Sequence, residues 1–171
     1  EHFKTIKKVL EADNIYYNGL ARKVCLERYN TKFYNITEDE GIFERLGIWD
    51  KLEEIKEGRI THTEGSSLIF DQTSAFLTID VNTGNNFSVS KRQINLSACE
   101  EIFRIIRAFG FGGKIFIDFL PSRKELREEI LTKISLYFEK DTVKNKIWGW
   151  TKSGVFELER KRDKIPLKLL L

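Results

Sequence analysis

The stretch FLTIDVNTG at residues 76–84 contains an apolar run that ends in Asp80, and KIFIDFL at residues 114–120 repeats this pattern around Asp118. Short runs of β-branched and aromatic residues are typical of buried strands. An ionised carboxylate beside an apolar core is costly unless it is hydrogen-bonded, paired or bound to a cation. The two stretches therefore predict neighbouring strands, and a metal ion shared by the two aspartates would neutralise both.

Side-chain alternation gives this candidate site a third member. In an extended strand Asp80 and Asn82 point to the same face. Two carboxylates and an amide oxygen form an oxygen-only donor set, which Mg²⁺ prefers, with water in the remaining positions. The alternative interpretation is that each aspartate caps the turn after its strand.

These stretches and their surroundings resemble the catalytic region of the ribonuclease E/G family. Residues 78–84 (TIDVNTG) look like the family's TxIDVNSG signature, and residues 112–119 (GGKIFIDF) resemble its GGLIVIDFI run. A weaker likeness covers residues 42–48 (IFERLGI). Three further segments match in the family's order and spacing: GSSLIFDQT at 65–73, NLSACEEI at 95–102 and GVFELERKR at 154–162.

The resemblance implies a magnesium-dependent endoribonuclease that hydrolyses single-stranded RNA in RNA processing and decay. Asp80 and Asp118 match the family's two metal-binding aspartates, and Asn82 matches the asparagine that accompanies them in catalysis. The resemblance also implies a fold. Residues 1–62 would form a partial RNase H-like α/β subdomain, and residues 63–171 a DNase I-like catalytic subdomain.

The residue pattern itself predicts an α/β protein with a mixed sheet and flanking helices. We expect helices over residues 2–12 and 20–29, a hairpin across residues 71–74 and a final strand pair over residues 146–160. Capping boxes at Thr37 and Ser122 are expected to open further helices. A helix from Gln93 to Phe109 should bury an apolar stripe of Ala98, Ile102, Ile105 and Phe109.

Composition adds little about function. The 29 Lys and Arg against 26 Asp and Glu leave a net charge of +3, which does not by itself indicate a nucleic-acid partner. No apolar stretch approaches the roughly 20 residues that cross a bilayer, so we expect no membrane association and a cytoplasmic location. Cys25 and Cys99 have no second Cys at ligand spacing, and we interpret them as reduced core residues.

The densest basic cluster is Arg160, Lys161 and Arg162 near the end of the final strand. These three side chains are candidates for contacts with RNA phosphates, and a solvated charged edge is the alternative interpretation. Trp148 and Trp150 flank Gly149. They are candidates for base stacking, although packing in the core or hairpin is the favoured interpretation.

The sequence departs from the family in ways that keep other functions open. It has no Cys-Pro-x-Cys zinc-binding link, so any homo-oligomer is expected to form without it. Ser74 stands where the family usually has Glu, and Phe109-Gly110 replaces the usual Arg-Asp; we expect both changes near the site. They support a second hypothesis, an RNA-binding relative with weakened activity. A third is another metal-dependent phosphodiesterase, for instance on DNA.

Overall fold

The computed structural model of the 171-residue chain describes residues 14–17, 35–38, 41–62, 65–84 and 89–163. The chain divides into two compact units, Glu1–Leu52 and Glu53–Leu171. The assignment of residues 1–62 and 63–171 to RNase H-like and DNase I-like subdomains stays a prediction.

The first unit contains a parallel pair of short strands, β1 (Asn14–Tyr17) and β2 (Asn35–Glu38). Helices α1 (Ile42–Arg45) and α2 (Ile48–Glu57) follow along the chain. The predicted capping box at Thr37 is wrong, because Thr37 lies inside β2 and pairs with Tyr16. The predicted helices over residues 2–12 and 20–29 lie outside the described residues, as does Cys25.

Six strands of the second unit form a mixed sheet. The strands are β3 (Arg59–Thr61), β4 (Ser67–Gln72), β5 (Phe76–Asn82), β6 (Gly113–Asp118), β7 (Asn145–Trp150) and β8 (Phe156–Arg160). Their order in the sheet is β3-β4-β5-β6-β8-β7. β5 and β6 pair in parallel, and the other neighbouring strands pair antiparallel. This confirms the predicted α/β class with a mixed sheet.

The connections fix the direction of each strand. β4 and β5 form the predicted hairpin, in which the Thr73 amide donates to the Phe76 carbonyl oxygen at 3.0 Å. Helix α3 (Lys91–Ala108) carries the chain back so that β6 runs parallel to β5. Helix α4 (Lys124–Phe138) leads to the final hairpin of β7 and β8, which confirms the predicted strand pair.

The core of this unit contains one face of the sheet together with the apolar sides of α3 and α4. Along β5 the buried side chains are Leu77, Ile79 and Val81, and the residues between them are more exposed, as alternation predicts. Cys99 is buried as predicted, and its burial raises the pKa of its thiol to about 12. The four residues of the predicted stripe are also buried: Ala98, Ile102, Ile105 and Phe109.

Among the described residues, no helix combines the length and the apolar character that a membrane span requires.

The two long helices begin differently from the sequence prediction. Ser90 is the N-cap of α3 and forms a capping box with Gln93, so the helix begins two residues before the predicted start. The predicted capping box at Ser122 is wrong, since the N-cap of α4 is Arg123 and it makes no side-chain capping bond. The Ser122 hydroxyl instead donates to the Leu120 carbonyl oxygen at 2.6 Å.

A buried ion pair lies near the end of β8. Arg160 is 4% exposed, and its Nε donates to Asp141 Oδ2 at 2.7 Å. A second nitrogen of the guanidinium donates to the carbonyl oxygen of Phe111 at 2.7 Å. Arg160 is therefore occupied by the fold, and the prediction that it contacts RNA is wrong.

This pair yields a prediction about stability. Asp141→Asn removes the counter-charge of a buried guanidinium, and breaking such a pair costs about 3–5 kcal/mol of unfolding free energy. Asp163→Asn makes the same chemical change at an exposed residue and should shift the free energy by less than about 0.5 kcal/mol. Urea unfolding of both variants and the parent measures the difference. Equal midpoints for the two variants would contradict the buried-pair interpretation.

Candidate functional site

The two aspartates singled out by the sequence lie side by side in the sheet. β5 and β6 run parallel, and their register places Asp80 directly opposite Asp118 at the carboxyl ends of both strands. Asp118 is exposed and Asp80 is partly buried, so both carboxylates belong to the face of the sheet opposite the core. Adjacent strands lie about 4.8 Å apart, which brings the two side chains within reach of one cation.

The electrostatics at this pair disfavour two ionised carboxylates side by side. The pKa of Asp80 is raised above its usual value, first by partial burial and second by the negative charge of Asp118. Both causes disfavour a second ionised carboxylate at this position. A divalent cation between the carboxylates would remove that penalty.

Asn82 is the third predicted member of the site. Its Nδ2 donates to Asp80 Oδ2 at 2.8 Å, so it fixes one oxygen of that carboxylate. The amide oxygen of Asn82 takes no part in this bond. Asp80, Asn82 and Asp118 therefore lie together, as alternation and strand pairing predict, while their catalytic role stays a prediction.

A buried asparagine on α3 holds the chain just after Asp118. Asn95 is fully buried, and its Oδ1 accepts from the Leu120 amide at 3.0 Å. Its Nδ2 donates to the Leu120 carbonyl oxygen at 3.0 Å and to Ser122 Oγ at 2.9 Å. The side chain thus pairs with the backbone as a neighbouring strand would, which fixes the path of the chain beyond Asp118.

A close backbone contact lies just beyond Asn82 along the chain. Gly84 has φ +61°, and a Cβ at this position would overlap the carbonyl oxygen of Gly65. Glycine is the residue that adopts this conformation without steric cost. The contact fixes the segment that leaves β5 two residues after Asn82.

The donor set suits a hard cation. In the part of the chain that the structure describes, no group of three or more His, Cys, Asp and Glu residues could hold a metal ion. Two carboxylates with an amide oxygen are nevertheless sufficient for Mg²⁺, which usually keeps several waters and binds substrate phosphates.

The other predicted RNA contacts lie at the opposite end of the sheet. β8 runs antiparallel to β6, so Arg160 pairs with Gly113, and Lys161 and Arg162 follow immediately. Gly113 is five residues before Asp118 along β6, which corresponds to about 16 Å. Contacts of Lys161 and Arg162 with RNA stay a prediction, and the structure separates both residues from the carboxylates.

The departures from the family pattern also lie at that far end. Ser74 belongs to the turn that precedes β5, and Phe109 and Gly110 precede β6. Both strands then run to the aspartates at their other ends. The expectation that these changes fall near the site is therefore wrong.

Strict periodicity in the sequence predicts the burial of two further polar residues. Arg160 lies two residues beyond Leu158 and four beyond Phe156, so strand alternation assigns it to the buried face. Asn95 lies three residues before Ala98 on the apolar side of α3, where a polar side chain must be hydrogen-bonded.

Trp148 and Trp150 flank the same glycine in the sequence, but they have different environments in the structure. Trp150 packs against Phe119 and Phe156, with ring centroids 5.8 and 5.3 Å away. Trp148 is 55% exposed, and Lys146 Nζ lies 3.5 Å from its ring centroid. The packing interpretation is therefore right for Trp150 and does not describe Trp148.

The fold and site define an α/β domain in which adjacent parallel strands end in opposed carboxylates. Residues 4–163 match the sequence profile of the Ribonuclease E/G family. Because this match covers nearly all of the sequence, the chain belongs to the ribonuclease E/G family.

Individual relatives agree with this assignment. Ribonuclease G of Escherichia coli (strain K12) is 29% identical over 147 residues, which cover 82% of this chain and 30% of the relative. The chloroplastic Ribonuclease E/G-like protein of Arabidopsis thaliana is 31% identical over 134 residues, covering 72% of this chain and 13% of the relative. The chain thus spans less than a third of the length of these curated relatives.

The Asn95 contacts predict a large loss of stability when they are removed. Asn95→Ala leaves the Leu120 amide without its partner and the Leu120 carbonyl oxygen with Ser122 Oγ as its remaining donor, and we expect a loss of about 2–4 kcal/mol. Ser122→Ala removes the bond from Asn95 Nδ2 and the bond to the Leu120 carbonyl oxygen, and should cost about 1 kcal/mol because the two Asn95–Leu120 bonds remain. Denaturant unfolding of both variants and the parent measures the two losses of unfolding free energy. Equal losses would show that the Leu120 bonds contribute nothing.

The paired aspartates predict a stability effect that depends on pH. In EDTA at pH 7, Asp118→Asn should leave stability unchanged or slightly higher, because it removes repulsion from Asp80. Since the folded-state pKa of Asp80 is raised, its penalty is present at neutral pH. The penalty disappears below about pH 4, where Asp80 is protonated in both states. The advantage of the variant should therefore vanish at low pH, which denaturant midpoints at the two pH values measure.

Magnesium provides the control for this experiment. At ten times its dissociation constant it should stabilise the parent by about 1.4 kcal/mol and should not stabilise Asp118→Asn, at ionic strength matched with KCl. A turn-capping aspartate behaves differently, because its loss costs about 1 kcal/mol with or without magnesium. Equal responses of the two proteins would remove Asp118 from the metal site.

Proposed function

We propose that this chain is the catalytic part of a magnesium-dependent endoribonuclease that cleaves single-stranded RNA in RNA processing and decay. One observation carries the proposal: Asp80 and Asp118 are register partners at the ends of parallel strands, in a chain of the ribonuclease E/G family. The names of the relatives supply the substrate class, since they are called Ribonuclease G and Ribonuclease E/G-like protein.

The residues present fit a divalent cation. Asp80 and Asp118 would hold it, since their oxygens are hard ligands and the pKa of Asp80 is raised partly by the charge of Asp118. Asn82 would act with them through the free amide oxygen that its bond to Asp80 leaves available. A bound Mg²⁺ would lower the pKa of a water molecule and offset the charge that develops on the phosphoryl oxygens.

The residues of the chain itself position these groups. Asn82 holds one carboxylate oxygen of Asp80 by its 2.8 Å bond, and Asn95 fixes the segment after Asp118. Because each aspartate is followed by a held segment, the two carboxylates keep their separation while a phosphate binds. Preorganisation of this kind reduces the reorganisation needed in the transition state.

The second hypothesis, a relative with weakened activity, loses its support from the sequence. Ser74, Phe109 and Gly110, the residues that suggested it, lie at the end of the sheet away from the carboxylates. A phosphodiesterase acting on DNA uses the same site chemistry and is separated from our proposal by experiment. Cytoplasmic location and any homo-oligomer remain parts of the proposal to be tested by fractionation and by sedimentation.

Cleavage assays test the proposal. We expect the chain to cleave a labelled single-stranded RNA with Mg²⁺ or Mn²⁺, and to lose cleavage in EDTA. Asp80→Asn and Asp118→Asn should each lower the rate by roughly 100-fold or more, since metal-site charge stabilisation is worth several kcal/mol. Glu159→Gln is the matched control: Glu159 is an exposed carboxylate of the same sheet, opposite Lys114 at its far end.

The outcomes separate the three hypotheses. Equal cleavage of RNA and of DNA with the same sequence would favour the general phosphodiesterase. RNA binding without cleavage in magnesium would favour the weakened relative. Full activity in EDTA, or normal rates in both aspartate variants, would contradict the metal-dependent mechanism.

A further inference from the structure

The final hairpin places a second group of side chains at the carboxylate end of the sheet. β8 begins at Phe156, which pairs with Ile117, the residue before Asp118. The loop between β7 and β8, residues 151–155, therefore lies at the same end of the sheet as the two aspartates. Helix α4 also begins at this end, because it follows β6 after five residues.

The cations in these segments divide into paired and unpaired groups. Lys124 Nζ lies 4.0 Å from Glu128, and Arg92 at the start of α3 lies 2.6 Å from Glu129. Within the described residues, no ion pair involves three cations at the start of α4 and in the β7–β8 loop: Arg123, Arg127 and Lys152.

Arg127 is the best-positioned of the three. Its guanidinium lies 5.0 Å from the Trp150 ring centroid, and the Trp150 indole donates to the Arg127 carbonyl oxygen at 3.0 Å. Its Nε is buried and has no hydrogen-bond partner among the described residues. Trp150 in turn packs against Phe119, the residue after Asp118, at 5.8 Å. Phe119 is buried on the core face, whereas the Asp118 carboxylate is exposed on the other face. The guanidinium therefore shares the end of the sheet with the candidate metal site but lies on the core face.

A guanidinium that is stacked on a ring and has no ion pair among the described residues is suited to an anion. Stacking fixes the plane of the fork, and although Nε is buried, the two terminal nitrogens can contact an external anion. Gly154 lies beside the guanidinium, and a Cβ at this position would be 3.1 Å from Arg127 Nη2. The hairpin loop thus leaves room for the guanidinium while bringing Lys152 to the same region.

At the opposite end of the sheet, two arginines bond to other parts of the same chain. Arg160 is paired with Asp141, and Arg162 donates to the carbonyl oxygens of Ser74 and Ala75 at 3.3 and 3.1 Å. These guanidinium groups tie together parts of the fold. The contrast favours the carboxylate end for binding an external anion.

We infer that Arg127, supported by Arg123 and Lys152, binds a backbone phosphate of the RNA strand at the carboxylate end of the sheet. The inference rests on the proposed function and specifies where this chain holds its substrate. Phosphate contacts of this kind position the strand and carry no base sequence information. Arg127 would therefore contribute to RNA affinity whatever the sequence.

The test is RNA binding measured by fluorescence anisotropy, with a labelled single-stranded RNA in EDTA over a series of KCl concentrations. Arg127→Gln should weaken binding roughly tenfold and reduce the slope of log K against log salt by about 0.7, the value for one lost contact on a single strand. Arg127→Lys keeps the charge and should retain the slope. Lys152→Gln changes an exposed loop residue and should weaken binding about threefold, which keeps the test valid if Arg127→Gln unfolds.

Lys140→Gln is the matched control. Lys140 also lies over an aromatic ring, 5.9 Å from the Tyr137 centroid, and follows the other end of α4. The Lys140→Gln substitution removes one positive charge far from the carboxylates, so the RNA affinity and the salt slope should match those of the parent.

The outcomes distinguish this inference from the proposed function. If the parent binds and cleaves RNA while the Arg127 and Lys152 variants bind as the parent does, the phosphate site is wrong and the proposed function stands. The same holds if Lys161→Gln weakens binding and those variants do not. If the parent neither binds nor cleaves single-stranded RNA, both proposals fail.

Discussion

The site depends on the parallel, in-register pairing of β5 and β6. This pairing brings Asp80 opposite Asp118, although 38 positions separate them in the sequence. Helix α3 makes the pairing feasible, since parallel neighbours require a crossover connection. A shift of one residue in register would turn one aspartate toward the core, where an ionised carboxylate is costly. The apolar alternation of both strands therefore fixes the chemistry of the exposed face.

The two ends of the sheet have different roles. At the far end the Arg160–Asp141 pair and the bonds of Arg162 to the turn before β5 use charges to join segments of the chain. At the carboxylate end, Asn95 and the Gly84–Gly65 contact hold the backbone with neutral groups. Because these groups are uncharged, the electrostatic potential at that end is set by the carboxylates and by the cations around Arg127. The carboxylates lie on one face of the sheet and the Arg127 guanidinium on the other, so a metal ion could neutralise the first and a phosphate the second.

The sequence predicts the structure correctly where a short-range pattern determines it. The β4–β5 hairpin, the buried stripe of α3 and the shared face of Asp80 and Asn82 follow from periods of two and 3.6 residues. A prediction from the residue type alone is wrong where the neighbouring residues decide the environment. The basic run at residues 160–162 predicts an RNA contact for Arg160, but alternation with Leu158 buries this side chain. Ser122 fits a capping-box pattern, but its hydroxyl bonds to Leu120 and α4 begins without it.

The sequence by itself determined the α/β class, the two strands that end in aspartate and the family to which the chain belongs, because these properties reside in local patterns and ordered motifs. Only the tertiary structure decided which charged residues share an end of the sheet. Strand direction sets that distribution, since antiparallel β8 carries Arg160 and Arg162 away from Asp118 while its hairpin loop brings Lys152 toward it. Strand direction depends on long-range pairing, and it cannot be inferred from a run of charged residues in the sequence.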